Sequence, residues 1–305
     1  MNKLFTFVLF AFLSSSPLVA RSSSDGTPTC ELPQESYIEV DKTRVRYVES
    51  GTGPAIVMVH GNAGSVDDFN FNSLGMLCRN HRVIAIDRPG HGKSDRPNGA
   101  TLQLQTRLLH DALVRLGVTR PILVGHSWGG SLALAYAVEY GNELSGIILL
   151  APAAYSDGGA DQFMRTVLKT PLIGDVTIDL GRLLFGKHVL KKELKRAFYP
   201  DSVPDEYLRY ASSWLHHEQL RSILEDEYSL DKDLDRISKH YADIRLPVVI
   251  VTGDQDRVVS AKLNAYRLQK SIAKAQLIEL SNTGHQVPQT HPESIYNAVT
   301  MISND

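Results

Sequence analysis

The chain has 305 residues, 43% of them hydrophobic and 22% charged, with a formal net charge of -2. That length supports one large domain, or one domain carrying an insertion, with a sizeable core. The balanced charge shows no long run of one sign, which argues against a nucleic-acid partner, and there is no fixed-period repeat or long low-complexity segment.

At the N-terminus, Lys3 precedes an apolar run from Leu4 to Leu13, followed by small and polar residues around Ala20. The run is well short of the ~20 residues a spanning helix needs. Residues 1–20 therefore read as a secretory signal on an exported chain, periplasmic or secreted, with no stable membrane span once it is removed. An N-terminal membrane anchor is the alternative, because Leu18 is large for its place before the cleavage site. Residues 21–36 read as a flexible tether. The two cysteines, Cys30 and Cys78, can pair in an exported protein; the alternative is two free thiols, one in a loop and one in a helix.

Two alternating segments around the turn Asp41-Lys42 predict paired strands. Ala55–Val59 is a continuous apolar run, as expected of a strand covered on both faces, and Val83–Ile86 is another. Leu102–Leu116 has helical periodicity and stops at Gly117. Ile122–Val124 predicts a strand, and a helix runs from Ser127 towards Tyr140. Strands follow at Gly146–Leu150, Pro247–Thr252 and Gln276–Leu280, with a helix between the last two and another over Pro292–Ile302. Strands alternating with helices imply an α/β fold, a mostly parallel sheet with helices on both faces. Residues 153–242 break the rhythm with Gly158-Gly159, Pro171, Pro200 and Pro204 between amphipathic stretches. They predict an inserted helical cap, with core segments 37–152 and 243–305 on either side.

Chemistry in such sheets gathers at the carboxyl ends of the strands. There lie His60-Gly61-Asn62, Ser127, Asp254 with Asp256, and His285. Gly125-His126-Ser127-Trp128-Gly129 fits the G-x-S-x-G elbow, in which a sharp strand-to-helix turn lifts a serine clear of the sheet. The helix that starts there favours developing negative charge. A serine needs a base, and His285 follows the final strand. The order serine, acid, histidine requires a carboxylate after Val248–Val251, where Asp254 and Asp256 both stand. The loop after Ala55–Val59 can supply an oxyanion donor from the N–H of Asn62, with a second from the N–H of Trp128. His60 reads as a hydrogen-bonded scaffold residue. Asp87–Ser94 lacks a phosphate-loop pattern and reads as structural. His216-His217-Glu218 lacks a second ligand group for a metal and reads as a polar helix face. The chemistry requires no cofactor and no metal.

The segments "VHGNAGS", "DRPGHGKSDRP", "VGHSWGG", "VTGDQDRVV" and "NTGHQVPQTHPESI" together resemble the α/β-hydrolase fold superfamily in its capped branch. The resemblance covers 37–152 and 243–302. It implies Ser127 as nucleophile, Asp256 as acid, His285 as base, and the Asn62 and Trp128 amides as oxyanion donors. Val258-Val259 is then expected to begin the next helix, with Asp254 serving as a turn acceptor. Asn62 with Trp128 is similar to haloalkane dehalogenases, and the layout also resembles epoxide hydrolases, but both use an aspartate nucleophile where this chain has Ser127. A serine attacks acyl carbons. The implied function is a serine hydrolase cleaving a carboxylic ester or related acyl bond of a small molecule. The alternatives are a carbon–carbon hydrolase or a cofactor-free perhydrolase with the same triad, and, in another class, a ligand-binding receptor that retains the triad.

Overall fold

A computed structural model describes residues 30, 33–70, 73–158, 166–167, 170 and 172–304. The expected signal, 1–20, and most of the expected tether lie outside them.

The sheet has eight strands: β1 Gln34–Val40, β2 Thr43–Ser50, β3 Ala55–Val59, β4 Arg82–Ile86, β5 Ile122–His126, β6 Gly146–Leu150, β7 Val248–Gly253 and β8 Ala275–Leu280. Their spatial order is β1-β2-β4-β3-β5-β6-β7-β8. Only the β1–β2 and β2–β4 pairs are antiparallel. The expected α/β architecture is the one observed. Asp41 and Lys42 both take positive φ in the tight β1–β2 turn.

The central strands β3 and β5–β7 are nearly all buried, because helices cover both faces. In chain order the helices are α1 Asp67–Asn70, α2 Ser73–Leu77, α3 Leu102–Arg115, α4 Trp128–Tyr140, α5 Ile173–Phe198, α6 Asp205–Ala211, α7 His217–Ile237, α8 Ala265–Ser271, α9 Val287–Thr290 and α10 Pro292–Ser303. Two apolar clusters form, one holding Leu132, Leu149 and Ile250, the other Ile56, Val124 and Ile295. The chain crosses from β3 to β4 on one side and then back to β5 on the other. The point where strand order reverses therefore lies between β3 and β5, and an open α/β sheet has its natural crevice there.

Helices α5 to α7 occupy the interruption between β6 and β7. Leu194, Phe198, Tyr207, Ala211 and Trp214 give them a small core of their own.

Two expectations need correction. The tether was expected to run to residue 36, but β1 begins at Gln34 and pairs with β2 from Gln34↔Glu49 onward. Upstream of it Cys30 is bonded to Cys78, with Cα atoms 5.8 Å apart. Strand pairing and the bridge override a loop-like composition. Val258-Val259 begins no helix: it lies in a bend, and the next helix starts at Ala265.

Candidate active site

Ser127 joins β5 to α4 with φ 53° and ψ -116°. A serine held there is strained by roughly 1–3 kcal/mol and persists only where its surroundings fix it. Its N–H donates to the Leu150 carbonyl at 2.9 Å, and its carbonyl accepts from Gly130 at 2.9 Å and Ala153 at 3.2 Å. A Cβ on Gly125 would collide with the Gly129 carbonyl, and one on Gly129 with the Val59 carbonyl. Glycine at both positions is what lets the strand, the turn and the helix approach so closely. Trp128 is the first residue of α4, so its N–H has no acceptor within the helix.

Asp256 and His285 stand on the loops after β7 and β8. His285 Nδ1 donates to Asp256 Oδ2 at 2.7 Å, with side chains only 5% and 1% exposed. The other carboxylate oxygen accepts from the N–H groups of Val258 at 2.7 Å and Val259 at 2.9 Å. Those two donors explain the bend where a helix was expected. Burial pushes the Asp256 carboxyl up, but the facing His285 and these N–H groups outweigh it and hold it below the ordinary range.

The histidine is fixed by its backbone too. Its N–H donates to the Ala197 carbonyl near the end of α5 at 2.9 Å, and its carbonyl accepts from His126 Nε2 at 3.0 Å. Burial, helped by the neighbouring His285, pushes His126 down to about 3, so this donor is a neutral imidazole. Asp254 does not reach the histidine side chain. Its Oδ1 accepts from the Thr283 N–H at 3.2 Å and closes the β8 loop against the end of β7, as expected of a turn acceptor.

The loop after β3 passes directly over the serine: a Cβ on Gly61 would sit 3.1 Å from the Ser127 Cβ. The Gly61 carbonyl accepts from His60 Nδ1 at 2.8 Å and from Arg88 Nη2 at 3.1 Å, both on buried side chains. In a trans peptide the following N–H points the opposite way. Two buried donors on one carbonyl thus aim the Asn62 N–H out of the buried layer. His60 Nε2 in turn accepts from the Arg88 N–H at 2.9 Å, so this histidine is a scaffold residue, as expected. The Asn62 carboxamide is fully engaged. Its Oδ1 accepts from the Ala63 N–H at 3.2 Å, and its Nδ2 donates to the Ile223 carbonyl at 3.0 Å and to Glu227 Oε2 at 3.3 Å, both on α7.

Arg88 and Asp226 are the residues that sequence reasoning missed. Asp226, on α7 and fully buried, accepts from Arg88 at 2.5 Å, from Arg96 and His91 at 2.9 Å, and from Gln105 at 3.1 Å. Burial raises its carboxyl, and the facing Arg88, His91 and Arg96 bring it below the ordinary range. The Arg88 guanidinium also lies 3.9 Å from the centre of the buried Trp128 ring. One signal was available: Ser222, Asp226, Leu230 and Leu234 share one buried row of α7, and a carboxylate in such a row requires a cationic partner.

This arrangement is that of an α/β hydrolase. The chain belongs to the alpha/beta hydrolase family, whose model matches residues 56–298. It is 28% identical over 264 residues, 82% of this chain and 87% of the relative, to a 2-hydroxy-6-oxononadienedioate/2-hydroxy-6-oxononatrienedioate hydrolase of Burkholderia vietnamiensis. It is 27% identical over 259 residues to human monoacylglycerol lipase ABHD6, covering 79% of this chain and 73% of that one. Among solved structures, an alpha/beta hydrolase fold protein from Burkholderia ambifaria superposes with a TM-score of 0.74 at 26% identity, covering 87% of this chain and 96% of that one.

Proposed function

We propose that the protein is a serine hydrolase that cleaves a carboxylic ester or related acyl bond through an acyl-serine intermediate. Ser127 Oγ attacks the acyl carbon while His285 Nε2 takes its proton. Asp256 holds the imidazole in the required tautomer and stabilises the imidazolium. The oxyanion forms against the backbone N–H groups of Asn62 and Trp128. His285 then gives its proton to the departing alcohol oxygen. Water, deprotonated by the same histidine, attacks the acyl-serine, and Ser127 leaves with that proton as the acid is released.

The observation that carries this reading is the buried 2.7 Å contact between His285 Nδ1 and Asp256 Oδ2 on the two loops beyond the serine elbow. A serine-directed phosphonate should label Ser127, and Ser127→Ala should fold normally with ester turnover lost. Full turnover by the alanine variant would sink the mechanism.

A second reading, carbon–carbon hydrolysis with the same triad, is favoured by the likeness to the dienedioate hydrolase. Relative turnover of a chromogenic ester and of a dienedioate separates the two. The Cys30–Cys78 bridge supports export to an oxidising compartment.

A further inference from the structure

Helix α5 carries an exposed apolar row. Ile173, Val176, Leu180, Leu183 and Leu184 follow the spacing of one helix face, and each is between 53% and 81% exposed. The helix is held in that orientation from another side. Asp175 pairs with Arg221 and His217, and Asp179 with His217, all towards α7. His217 sits between the two carboxylates at 3.0 Å from each, and Asp179 and then Asp175 favour its charged form. These ion pairs tie that side of the helix to α7, with both carboxylates still half-exposed, and leave the apolar row in solvent.

The row continues into positive charge. Lys187 and Lys191 extend it at four-residue steps from Leu183, and Lys192 and Lys195 follow, all exposed. Among the described residues none of the four takes part in an ion pair.

We propose that this face of α5 docks on an anionic lipid surface, with the apolar row entering the headgroup boundary and the lysines meeting lipid charge. An exposed apolar row flanked by lysines is the pattern of a helix that lies in a membrane interface. None of the described helices is long and apolar enough to cross a membrane, so the contact is one of lying on the surface. A row of this kind left in water is unusual on a monomer. The same helix ends at the Ala197 carbonyl that holds the His285 backbone. The docking face and the loop that carries His285 are therefore joined through one helix.

The test is cosedimentation of the full chain, as the cell leaves it, with phosphatidylcholine vesicles with and without phosphatidylglycerol. Turnover of a short water-soluble ester is measured alongside, so a failed docking proposal and a failed hydrolase reading give different results. The parent should bind the anionic vesicles. Val176→Glu/Leu183→Glu should bind at least about tenfold more weakly with soluble-ester turnover unchanged. Lys187→Gln and Lys191→Gln should each weaken binding to anionic vesicles about fivefold, the ~1 kcal/mol a basic residue gains near such a surface. Because every variant keeps the same N-terminus, that segment cannot produce the difference. Equal binding by the parent and the glutamate variant overturns the proposal, as does a parent that stays in the supernatant. A parent dimer that the glutamate pair dissolves would also overturn it, by assigning the face to a second copy.

Discussion

Asp226 is a buried carboxylate facing Arg88, and removing one partner of such a pair costs ~3–5 kcal/mol, whereas replacing both with apolar groups of similar volume is often neutral or better. Asp226→Leu should therefore lose ~3–5 kcal/mol of stability, while Arg88→Met/Asp226→Leu should recover most of it. Arg96 keeps a partner in both variants, because Glu225 lies 2.9 Å from its Nε. Turnover should not follow stability. Arg88 Nη2 is one of two side-chain donors on the Gly61 carbonyl, at 3.1 Å, and methionine supplies none. Losing an oxyanion donor outright costs ~10²–10³ in turnover, so a donor whose peptide is only loosened should cost ~10–100-fold. The assay pairs urea unfolding with steady-state kinetics on a chromogenic ester. The double variant should unfold near the parent's midpoint, with kcat lowered and KM little changed. Full recovery of kcat alongside stability would show that the Arg88–Gly61 contact does not position the Asn62 N–H. A stable Asp226→Leu would refute the ion-pair reasoning itself.

Asp256→Asn should lower turnover by up to ~10⁴-fold at little cost in stability, whereas Asp254→Asn should lower the melting temperature and leave most turnover; the reverse pattern would reassign the acid. Asp68 is buried beneath α6 and accepts from the Tyr207 hydroxyl at 3.0 Å; burial, against the hydrogen bonds of Tyr207 and Tyr210, pushes its carboxyl up to about 7. Its folded value lies above its unfolded one, so the neutral acid's contribution is complete below about pH 4 and is lost as pH rises through about 7. Asp68→Asn should flatten that part of the stability–pH curve, and an unchanged curve would place the proton elsewhere. Reducing the Cys30–Cys78 bridge, which spans 48 residues, should cost at most ~4 kcal/mol, read as a shift in the unfolding midpoint between the parent and Cys30→Ser/Cys78→Ser.

Much of the core was legible in the sequence because each central strand is a short apolar run bounded by turn residues, and burial on both faces leaves little room for another pattern. Ser127 and His285 were legible as candidates for another reason: the G-x-S-x-G elbow and the order serine, acid, histidine single them out among the polar residues at the strand ends. Between Asp254 and Asp256 the residues alone could not decide. Both follow β7, and what separates them is the path of the chain, which turns the N–H groups of Val258 and Val259 back onto Asp256. The Arg88–Asp226 contact was hidden more deeply. Its partners are 138 residues apart, on a loop and on an inserted helix, and no local periodicity records which loop a helix will cover.

That contact also bears on the chemistry of the site. Asn62 and Trp128 resemble the halide-binding pair of dehalogenases by residue type, and a halide ligand would need a free side-chain N–H from each. Here both carboxamide hydrogens of Asn62 can be taken up by α7, one by the Ile223 carbonyl and one by Glu227. The backbone is placed differently, since the Gly61 carbonyl is pinned from behind and the Trp128 N–H opens a helix. Backbone donors suit an oxyanion that forms and collapses within each turnover, because they cost no reorganisation when the charge appears. The Trp128 indole N–H has no acceptor among the described residues, so it is the serine at the elbow and the Asn62 carboxamide committed to the helix above it, with backbone donors left over, that favour acyl transfer over carbon–halogen displacement. Asn62→Ala tests this division: it removes the tether to α7 and keeps the N–H, so it should lower stability by roughly 1–3 kcal/mol and kcat by less than about tenfold. A loss of kcat as large as that of an oxyanion donor, at unchanged stability, would return the carboxamide to the reaction itself.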